Sequence, residues 1–463
     1  MSRFTLQQVI DSTGASLVSG AAGPGLEGLS TDTRSLRQGE MFLALEGPNF
    51  DGNRYAAQAV AAGAAALLLG RAPAEPFERD LPVLVHPEPL RALADLASWY
   101  RSTLDCPVIG ITGSCGKTTV KNITAALLER VCRVVYSPSS FNNEIGVPHT
   151  LLLARPDTEA LVVEIGTNHP GEIGALCRIA RPTVGALLNV GAVHLEGLGS
   201  LEGVAQEKGD LIESVPEDGV CVLNADCRFT PQIRARTGAR VITFSVEGGP
   251  EARGDLDATD LYFHAGGTTF KLGDREVSSP LLGTHNVSNL LAALGICTGL
   301  GIDLDRVLPA VSDLKGGPQR MEVLELAGVT VLDDSYNSNP EAARAAVRVL
   351  AGQHGHRRRV LCLGDMLELG ELAAELHHRV GVEASESGID VIVLVGELVK
   401  AAAAGALEAG HAKADVVHFA NTAEAAEGIT GVVEEGDVVL VKGSRGMRLE
   451  EVVGALRTHW GTR

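Results

Sequence analysis

The chain has 463 residues, of which 45% are hydrophobic and 4% aromatic, and its formal net charge is −19. This length exceeds what one hydrophobic core supports, so we expect several domains. The acidic balance argues against a nucleic-acid partner, which normally meets a basic face. An anionic substrate would therefore have to be bound by local clusters of Lys and Arg.

The cysteines and the apolar runs indicate the compartment. The eight cysteines are spread singly along the chain, without CxxC spacing, as is typical of free thiols in a reducing compartment. The apolar run at 56–69 is interrupted and too short for a membrane span, and no apolar run follows Met1. We expect a cytoplasmic protein without membrane insertion.

Residues 1–104 predict a small α/β domain. An extended segment at 41–45 precedes an alanine-rich helical pattern at 54–62 and a strand at 65–69. A proline-rich stretch then leads to a helix at 90–101.

Residues 105–316 predict a largely parallel sheet with helices on both faces, because strands and helices alternate. The strands lie at 108–111, 134–136, 161–165, 183–190, 220–223 and 241–244, and the helices at 117–130, 171–180 and 201–214. Two shorter strands, at 260–264 and 268–272, are typical of an antiparallel flap. A helix at 286–298 closes this domain.

Gly316 and Gly317 are predicted to form a hinge, after which the alternation restarts. Residues 317–463 predict a Rossmann-like doubly wound domain that lacks a GxGxxG turn, so no NAD site is assigned to it. Its strands are predicted at 329–333, 360–363, 391–395, 416–419 and 438–441, and its helices at 340–350, 371–386, 397–408, 422–433 and 447–457. The fold class is thus α/β with three domains, at 1–104, 105–316 and 317–463.

The stretch Gly113-Ser114-Cys115-Gly116-Lys117-Thr118-Thr119 lies between an apolar strand and a helix. Its spacing lets backbone N–H groups face an anion and supplies an ammonium and a hydroxyl for Mg²⁺. This pattern predicts a bound nucleoside triphosphate. A coincidental Gly-Lys-Thr turn is disfavoured by the flanking strand and helix. Cys115 is predicted to have a lowered thiol pKa beside Lys117, so that alkylation there would block ATP binding.

Glu164 ends a strand at the carboxyl edge of the predicted sheet, where ligands of open α/β folds bind. It is a candidate Mg²⁺ ligand, and His194 follows the next strand and is expected beside it. Glu164 could instead be an exposed strand-end residue, and His194 a structural hydrogen-bonding group. Lys208, taken alone, is typical of a solvated helical charge.

Several blocks of the chain, in this order, resemble the Mur ligases. They are 113–119, Asn-Asn-Glu-Ile-Gly-Val-Pro at 142–148, 164–168, 194–200 with Lys208, 283–289, and Asp-Asp-Ser-Tyr-Asn-Ser-Asn-Pro at 333–340. The resemblance covers essentially the whole chain. The blocks at 142–148 and 333–340 are most similar to the family type that joins D-alanyl-D-alanine to UDP-N-acetylmuramoyl-tripeptide.

The resemblance implies a role for each matching residue. Lys117 would hold the phosphates and Thr118 a Mg²⁺ ion, while Glu164 and His194 would hold a second metal ion near Lys208, whose amine would be carbamylated. The implied catalytic residues are Lys117, Lys208, His194, Asn143 and Arg320. The implied ATP-binding residues are Gly113, Ser114, Cys115, Gly116, Lys117, Thr118, Thr119, His285, Asn286, Asn289, Arg320 and Asp334.

The resemblance also implies where the other substrates bind. The uridine nucleotide would lie against Ser30, Asp32, Thr33 and Arg34, and the acceptor against Tyr336, Asn337, Asn339, Lys442 and Arg445. Lys442 and Arg445 follow the last apolar strand, so they are candidates for the acceptor carboxylate. A solvated basic turn is the alternative for that pair.

The implied activity is an ATP-dependent ligation through an acyl phosphate, giving ADP and phosphate in peptidoglycan precursor synthesis, by a monomer. A related ligase that adds a single amino acid, or glutamate to a folate, keeps the same ATP site and remains open. A regulatory or mechanical P-loop NTPase gives no reason for Lys208, and the implied metal ligands disfavour a non-catalytic assembly protein. The third residue of the tripeptide, diaminopimelate or lysine, stays undecided.

Overall fold

The first part of the chain forms a mainly parallel sheet with strand order β1-β7-β6-β3-β2, in which β1 is antiparallel. The computed structural model describes residues 2–21, 25–246, 253–264 and 266–461. The elements are α1 (Leu6–Thr13), β1 (Ser16–Ser19), β2 (Gly28–Ser30), β3 (Glu40–Leu43), β4 (Glu46–Gly47), β5 (Phe50–Asp51), α2 (Ala56–Ala61), β6 (Ala66–Leu69), β7 (Val83–Val85) and α3 (Pro89–Ser102). The sequence pattern did not predict β1, β2, β4, β5 and β7.

The central part forms a larger sheet with strand order β16-β15-β14-β13-β12-β11-β8-β10-β9. Its strands are β8 (Val108–Thr112), β9 (Val134–Tyr136), β10 (Ala160–Glu164), β11 (Val184–Leu187), β12 (Val220–Asn224), β13 (Arg240–Ser245), β14 (Leu256–His264), β15 (Gly267–Leu272) and β16 (Arg275–Ser279). Its helices are α4 (Lys117–Leu128), α5 (Gly146–Leu153), α6 (Glu172–Ala180), α7 (Leu195–Leu198), α8 (Leu201–Glu213), α9 (Thr230–Arg234), α10 (Thr284–Gly299) and α11 (Leu304–Val307).

Both faces of this central sheet are covered, which is why its inner strands are almost continuously apolar. Leu161 and Val163 of β10 pack on one face with α3, α5, α6 and α8. Ala160 and Val162 pack on the other face with α4 and α10. The alternation follows from the two-residue repeat of a strand.

One prediction for the central part needs correction. The strand predicted at 183–190 ends at Leu187, because the following residues leave the sheet and bond to the loop after β8. The predicted antiparallel flap is confirmed, since β14, β15 and β16 pair antiparallel, and the parallel pairing of β14 with β13 joins the flap to the edge of the central sheet.

The last part forms a third sheet with strand order β17-β18-β22-β19-β20-β21. Its strands are β17 (Glu322–Glu325), β18 (Thr330–Asp334), β19 (Arg359–Gly364), β20 (Val391–Val395), β21 (Val416–Phe419) and β22 (Val438–Lys442), and its helices are α12 (Pro340–Ala351), α13 (Ala373–Glu386), α14 (Lys400–Glu408), α15 (Thr422–Gly428) and α16 (Glu450–Trp460). Only β17, which the sequence pattern missed, pairs antiparallel among these described strands. The α/β fold class with parallel sheets is confirmed. Throughout the described ranges, every helix falls short of the length and apolarity that crossing a bilayer requires.

Helices α13 and α14 approach each other so closely that their contact depends on two glycines. A Cβ on Gly381 would overlap the carbonyl oxygen of Ala402, and one on Gly405 would overlap the carbonyl oxygen of His378. We expect Gly381→Ala to lower the free energy of unfolding by about 1–3 kcal/mol, because the helices must separate. Urea unfolding followed by circular dichroism measures the change.

Gly454→Ala is the matched control, because Gly454 lies in α16 with open space around the position of a Cβ. That variant should gain about 0.5–1 kcal/mol from helix propensity. Equal stability of the two variants would contradict the close packing of α13 on α14.

Candidate active site

The loop between β8 and α4 has the geometry of a phosphate-binding loop. Gly116 precedes α4 in the left-handed region at φ 85°, and a Cβ there would overlap Oδ1 of Asn289. The Lys117 ammonium donates to the carbonyl oxygen of Gly113 at 2.7 Å. No described side chain caps α4, so its first amides remain for an anion.

Glu164 lies beside this loop because β10 pairs with β8. Its carboxylate is 1% exposed and accepts hydrogen bonds from the Thr118 hydroxyl at 2.8 Å and from the Asn142 amide at 2.9 Å. A carboxylate and a hydroxyl are hard oxygen donors that suit Mg²⁺, which takes its other ligands from phosphates and water. In the described ranges, His, Cys, Asp and Glu side chains form no group of three or more that could hold a metal by itself. The donors present therefore fit an ion that a nucleotide helps to bind.

Arg320 reaches the phosphate-binding loop from the segment before β17. Its guanidinium donates to the Thr118 hydroxyl at 3.0 Å and to the Ser140 hydroxyl at 3.2 Å. The same group lies 4.1 Å from the centre of the Tyr336 ring. The structure thus brings a cation of the last sheet to the loop of the central sheet.

His194 and Lys208 are both largely withdrawn from solvent. Nδ1 of His194 lies 2.6 Å from the carboxylate of Glu368, and burial lowers the pKa of His194 against the opposing effect of Glu368. Lys208, on α8, is 1% exposed, and burial together with the charge of Lys117 lowers its pKa well below the usual value. Its amine forms no hydrogen bond to a residue that the structure describes. A lysine in this environment favours the neutral form.

The side chains predicted around the nucleotide base gather on the first turns of α10. Asn289 donates to the side-chain oxygen of Asn286 at 3.1 Å. Burial lowers the pKa of His285 to about 4, although Asp334 opposes the shift. These residues and Asp334 line the same cavity as the phosphate-binding loop, and His285 is a neutral imidazole at physiological pH.

Lys442, which is predicted to bind the acceptor, is paired within the protein. Its ammonium is 2% exposed and pairs with Asp334 at 2.6 Å, because the two residues are in register on β22 and β18. It also donates to the carbonyl oxygen of Asn337 at 3.1 Å. Arg445 is more exposed and pairs with Glu450 at 3.0 Å. Lys442 therefore holds Asp334, and Arg445 stays the predicted cation for an acceptor.

Three predicted asparagines contact backbone groups. Asn339 caps α12 by accepting from the amide of Ala342 at 2.9 Å, and its own amide points to the carbonyl oxygen of Ser114 at 3.5 Å. The Asn337 side chain accepts from the Arg445 amide at 3.2 Å. Asn143, predicted to be catalytic, caps α5 through the amide of residue 146 at 2.9 Å. These contacts fix loop shape around the site.

The residues predicted to hold the uridine nucleotide form a turn after β2. The Ser30 hydroxyl accepts from the Asp32 amide at 3.2 Å, and Arg34 pairs with the Asp32 carboxylate at 2.6 Å. The hydrogen bonds of Arg34 hold the pKa of Asp32 at about 2. Thr33 lies in the same turn, and these residues do not line the central cavity among the described residues.

One cavity of about 970 Å³ lies between the central and last parts of the chain and also reaches α3 of the first part. It is lined by sequence-predicted residues, including Ser114, Cys115, Gly116, Lys117, Thr118, Thr119, Asn143, Glu164, His194, His285, Asn286, Asn289, Arg320, Asp334, Tyr336, Asn337, Asn339, Lys442 and Arg445. It is also lined by residues that the sequence analysis missed: Ser140, Asn142, Asn189, Glu341 and Glu368. Asn189 follows β11 as Glu164 ends β10, so its position after a strand could have revealed it.

The predicted lowering of the thiol pKa of Cys115 needs correction. Its amide donates to the Asn189 side chain at 2.9 Å, and burial raises the pKa of its thiol more than Lys117 lowers it. The expected activation by Lys117 is outweighed by desolvation of the half-buried thiol by the surrounding protein.

A phosphate-binding loop, a strand-end carboxylate and an arginine from a second α/β unit define a nucleotide-binding α/β enzyme. Three family models match the chain. They are described as "Mur ligase family, catalytic domain" at 26–101, "Mur ligase middle domain" at 111–297 and "Mur ligase, glutamate ligase domain" at 319–445. The chain belongs to the Mur ligase family, whose members are ATP-dependent ligases.

Two curated relatives that share one name are similar to this chain over nearly its whole length. A protein of Escherichia coli (strain K12) named UDP-N-acetylmuramoyl-tripeptide--D-alanyl-D-alanine ligase is 39% identical over 442 residues, covering 93% of this chain and 94% of its own. A Bacillus subtilis (strain 168) protein of the same name is 35% identical over 432 residues, covering 92% of each chain.

Solved structures extend the similarity to the whole fold. MurF from Acinetobacter baumannii superposes with a TM-score of 0.87 at 30% identity, covering 98% of this chain and 99% of that one. The MurF ligase from Thermotoga maritima in complex with ADP gives a TM-score of 0.80 at 28% identity, covering 93% and 97%.

We expect Cys115 to react slowly with iodoacetamide at neutral pH, because its raised pKa leaves little thiolate. The rate should increase as the pH rises above the usual thiol range. Peptide mass mapping over a pH series measures it, with glutathione as the unhindered reference thiol. Faster modification of Cys115 than of glutathione at pH 7 would contradict the burial of the thiol.

Proposed function

We propose that this protein joins D-alanyl-D-alanine to the peptide carboxylate of UDP-N-acetylmuramoyl-tripeptide, using ATP and releasing ADP and phosphate. The observation that carries the proposal is the cluster of Lys117, Thr118, Glu164 and Arg320 in a cavity that residues of all three parts of the chain line. The similarity to relatives named for this reaction, over more than nine-tenths of the chain, supports the choice of substrates.

The proposed reaction explains why cations gather at the site. An amine in water does not displace oxide from a carboxylate, because oxide is a very poor leaving group. The carboxylate must therefore first accept the γ-phosphoryl group of ATP and become an acyl phosphate. The two reactants are both anionic, and Lys117 and Arg320 would neutralise the charge that develops between them. The amine then attacks the acyl carbon and phosphate leaves. His285, as a neutral side chain, suits a contact with an uncharged base.

Mg²⁺ is part of the proposal. The Thr118 hydroxyl and the Glu164 carboxylate would hold it, and Asn142 orients that carboxylate. When bound, the ion would neutralise charge on the phosphates. Nδ1 of His194 is hydrogen bonded to Glu368, which leaves Nε2 as the nitrogen that would ligate a metal ion.

The domain roles follow from the same proposal. Residues 1–104 would bind the uridine nucleotide through Ser30, Asp32, Thr33 and Arg34, residues 105–316 would bind ATP, and residues 317–463 would bind the acceptor. Gly316 and Gly317 would act as the hinge between the last two. Closure about this hinge would keep water from the acyl phosphate.

The proposed compartment is the cytoplasm. The cysteines of the chain are free thiols, distributed over buried and half-buried positions. Free thiols persist where the compartment is reducing, which is also where ATP is supplied.

Phosphate release across a panel of acceptors tests the function. We expect D-alanyl-D-alanine to give far more product with the UDP-muramoyl-tripeptide than D-alanine, L-glutamate or L-lysine does. Arg445→Ala should raise the KM for the dipeptide, because its carboxylate would lose a cation. A single amino acid as the best acceptor would favour the other Mur-type ligases and refute the proposed substrate pair.

The tripeptide panel should contain both diaminopimelate and lysine forms. Mass spectrometry of the ligated product identifies which of them is used. Phosphate release without any acceptor would instead favour a P-loop NTPase that does not ligate.

Lys208 is proposed to carry a carbamate. Its lowered pKa favours the neutral amine, the form that adds carbon dioxide, and the resulting carboxylate would be attracted to Lys117 instead of repelled by it. Its two hard oxygens could also help to place Mg²⁺.

We expect enzyme held in ¹³C-bicarbonate to show a carbamate carbon signal by NMR that Lys208→Arg lacks. Lys208→Ala should be nearly inactive and partly rescued by an added short carboxylate such as formate. An unmodified amine at Lys208 in the enzyme bound to ATP and Mg²⁺ would refute the modification.

A further inference from the structure

The segment 189–194 is bonded tightly to the phosphate-binding loop. The carbonyl oxygen of Asn189 accepts from the Ser114 amide at 3.1 Å, and its side chain accepts from the Cys115 amide at 2.9 Å. The Gly191 amide donates to the Ser114 hydroxyl at 2.8 Å. The segment and the phosphate-binding loop are therefore held in a fixed position relative to each other.

The other side of the segment contacts the last sheet through Glu341. Glu341 is the second residue of α12, and its Oε1 accepts from the Ala192 amide at 3.1 Å. A Cβ on Gly191 would come within 2.8 Å of the carboxylate carbon of Glu341, so the close approach depends on the glycine. The Asn339 amide points at the carbonyl oxygen of Ser114 from the same end of α12.

We propose that Glu341 is a positioning residue for the ligation, and this inference rests on the proposed function. Its hydrogen bond to Ala192 docks the N-terminal end of α12 onto the segment 189–194. Because α12 follows β18, and β18 pairs with β17 next to Arg320, the same contact sets the distance from Arg320 to Thr118. Glu341 thus couples the placement of the last sheet to the phosphate-binding loop.

The geometry distinguishes a docking role from an acid–base or metal-binding role. The Glu341 carboxylate accepts from a backbone amide, which needs an acceptor oxygen and not a negative charge. A glutamine offers that oxygen on a side chain of the same length. The expected order of activity is therefore wild type, then Glu341→Gln close behind, then Glu341→Ala far below.

Steady-state ligation with ATP, UDP-muramoyl-tripeptide and D-alanyl-D-alanine tests this order. We expect Glu341→Ala to lower kcat/KM by roughly tenfold, as for loss of one hydrogen bond that positions the site. Glu341→Gln should stay within a few-fold of wild type, and the thermal midpoint should stay unchanged in both because the side chain is exposed. Small-angle X-ray scattering with ADP should give a larger radius of gyration for Glu341→Ala than for wild type.

Glu427→Ala is the matched control, since Glu427 is an exposed glutamate on α15 with no hydrogen bond or ion pair to a described residue. It should match wild type in every measurement. Equal loss in Glu341→Gln and Glu341→Ala would overturn the inference in favour of a charge-dependent role. An increase in the KM for the dipeptide alone in Glu341→Ala would also overturn the inference, because it would assign Glu341 to the acceptor amine. Wild-type behaviour of Glu341→Ala would overturn it as well.

The two proposals fail separately. If wild type forms no product with D-alanyl-D-alanine, the proposed function fails, and the scattering comparison still decides whether Glu341 docks the last sheet. If wild type is active and the radius of gyration and kcat/KM of Glu341→Ala are unchanged, only the docking role of Glu341 fails.

Discussion

The parallel pairing of β8 with β10 on one side and β11 on the other determines the site. Its register sets Glu164 opposite Ile111 and Leu187 opposite Thr112, so all three strands end at one edge. The phosphate-binding loop, the Glu164 carboxylate and the segment after β11 then meet there without further adjustment. A shift of one residue in β10 would turn Glu164 to the opposite face of the sheet, away from Thr118.

Three cations at this edge have hydrogen-bond partners. Lys117 donates to the carbonyl oxygen of Gly113, Arg320 to the Thr118 hydroxyl, and Lys442 to the Asp334 carboxylate. These partners reduce the cost of holding the three cations in a partly dehydrated site. A phosphate that binds Lys117 or Arg320 exchanges one hydrogen bond for a stronger, charge-assisted one, so little desolvation opposes binding.

The sequence predicted those residues whose position depends on one strand and the turn after it. Glu164 and the loop at 113–118 belong to this group, because a parallel strand presents its carboxyl end to ligands. The partner of Lys442 could not be predicted in the same way. The pair with Asp334 requires β22 to lie next to β18, and the local periodicity of a sequence does not determine the order of strands in a sheet. Glu368 was missed for a related reason, because its contact with His194 joins loops 174 residues apart.

Arg320 comes from the segment before β17, whereas Lys117 belongs to the central part, and this separation has a physical consequence. In a protein of net charge −19, the phosphate-binding loop alone offers Lys117, while Arg320 joins it only where the last part of the chain is docked. The field that would stabilise a second anion therefore depends on docking. In the proposed ligation, the same docking would also exclude water from the acyl phosphate, so the charge that phosphoryl transfer needs and the protection that its product needs would arise together.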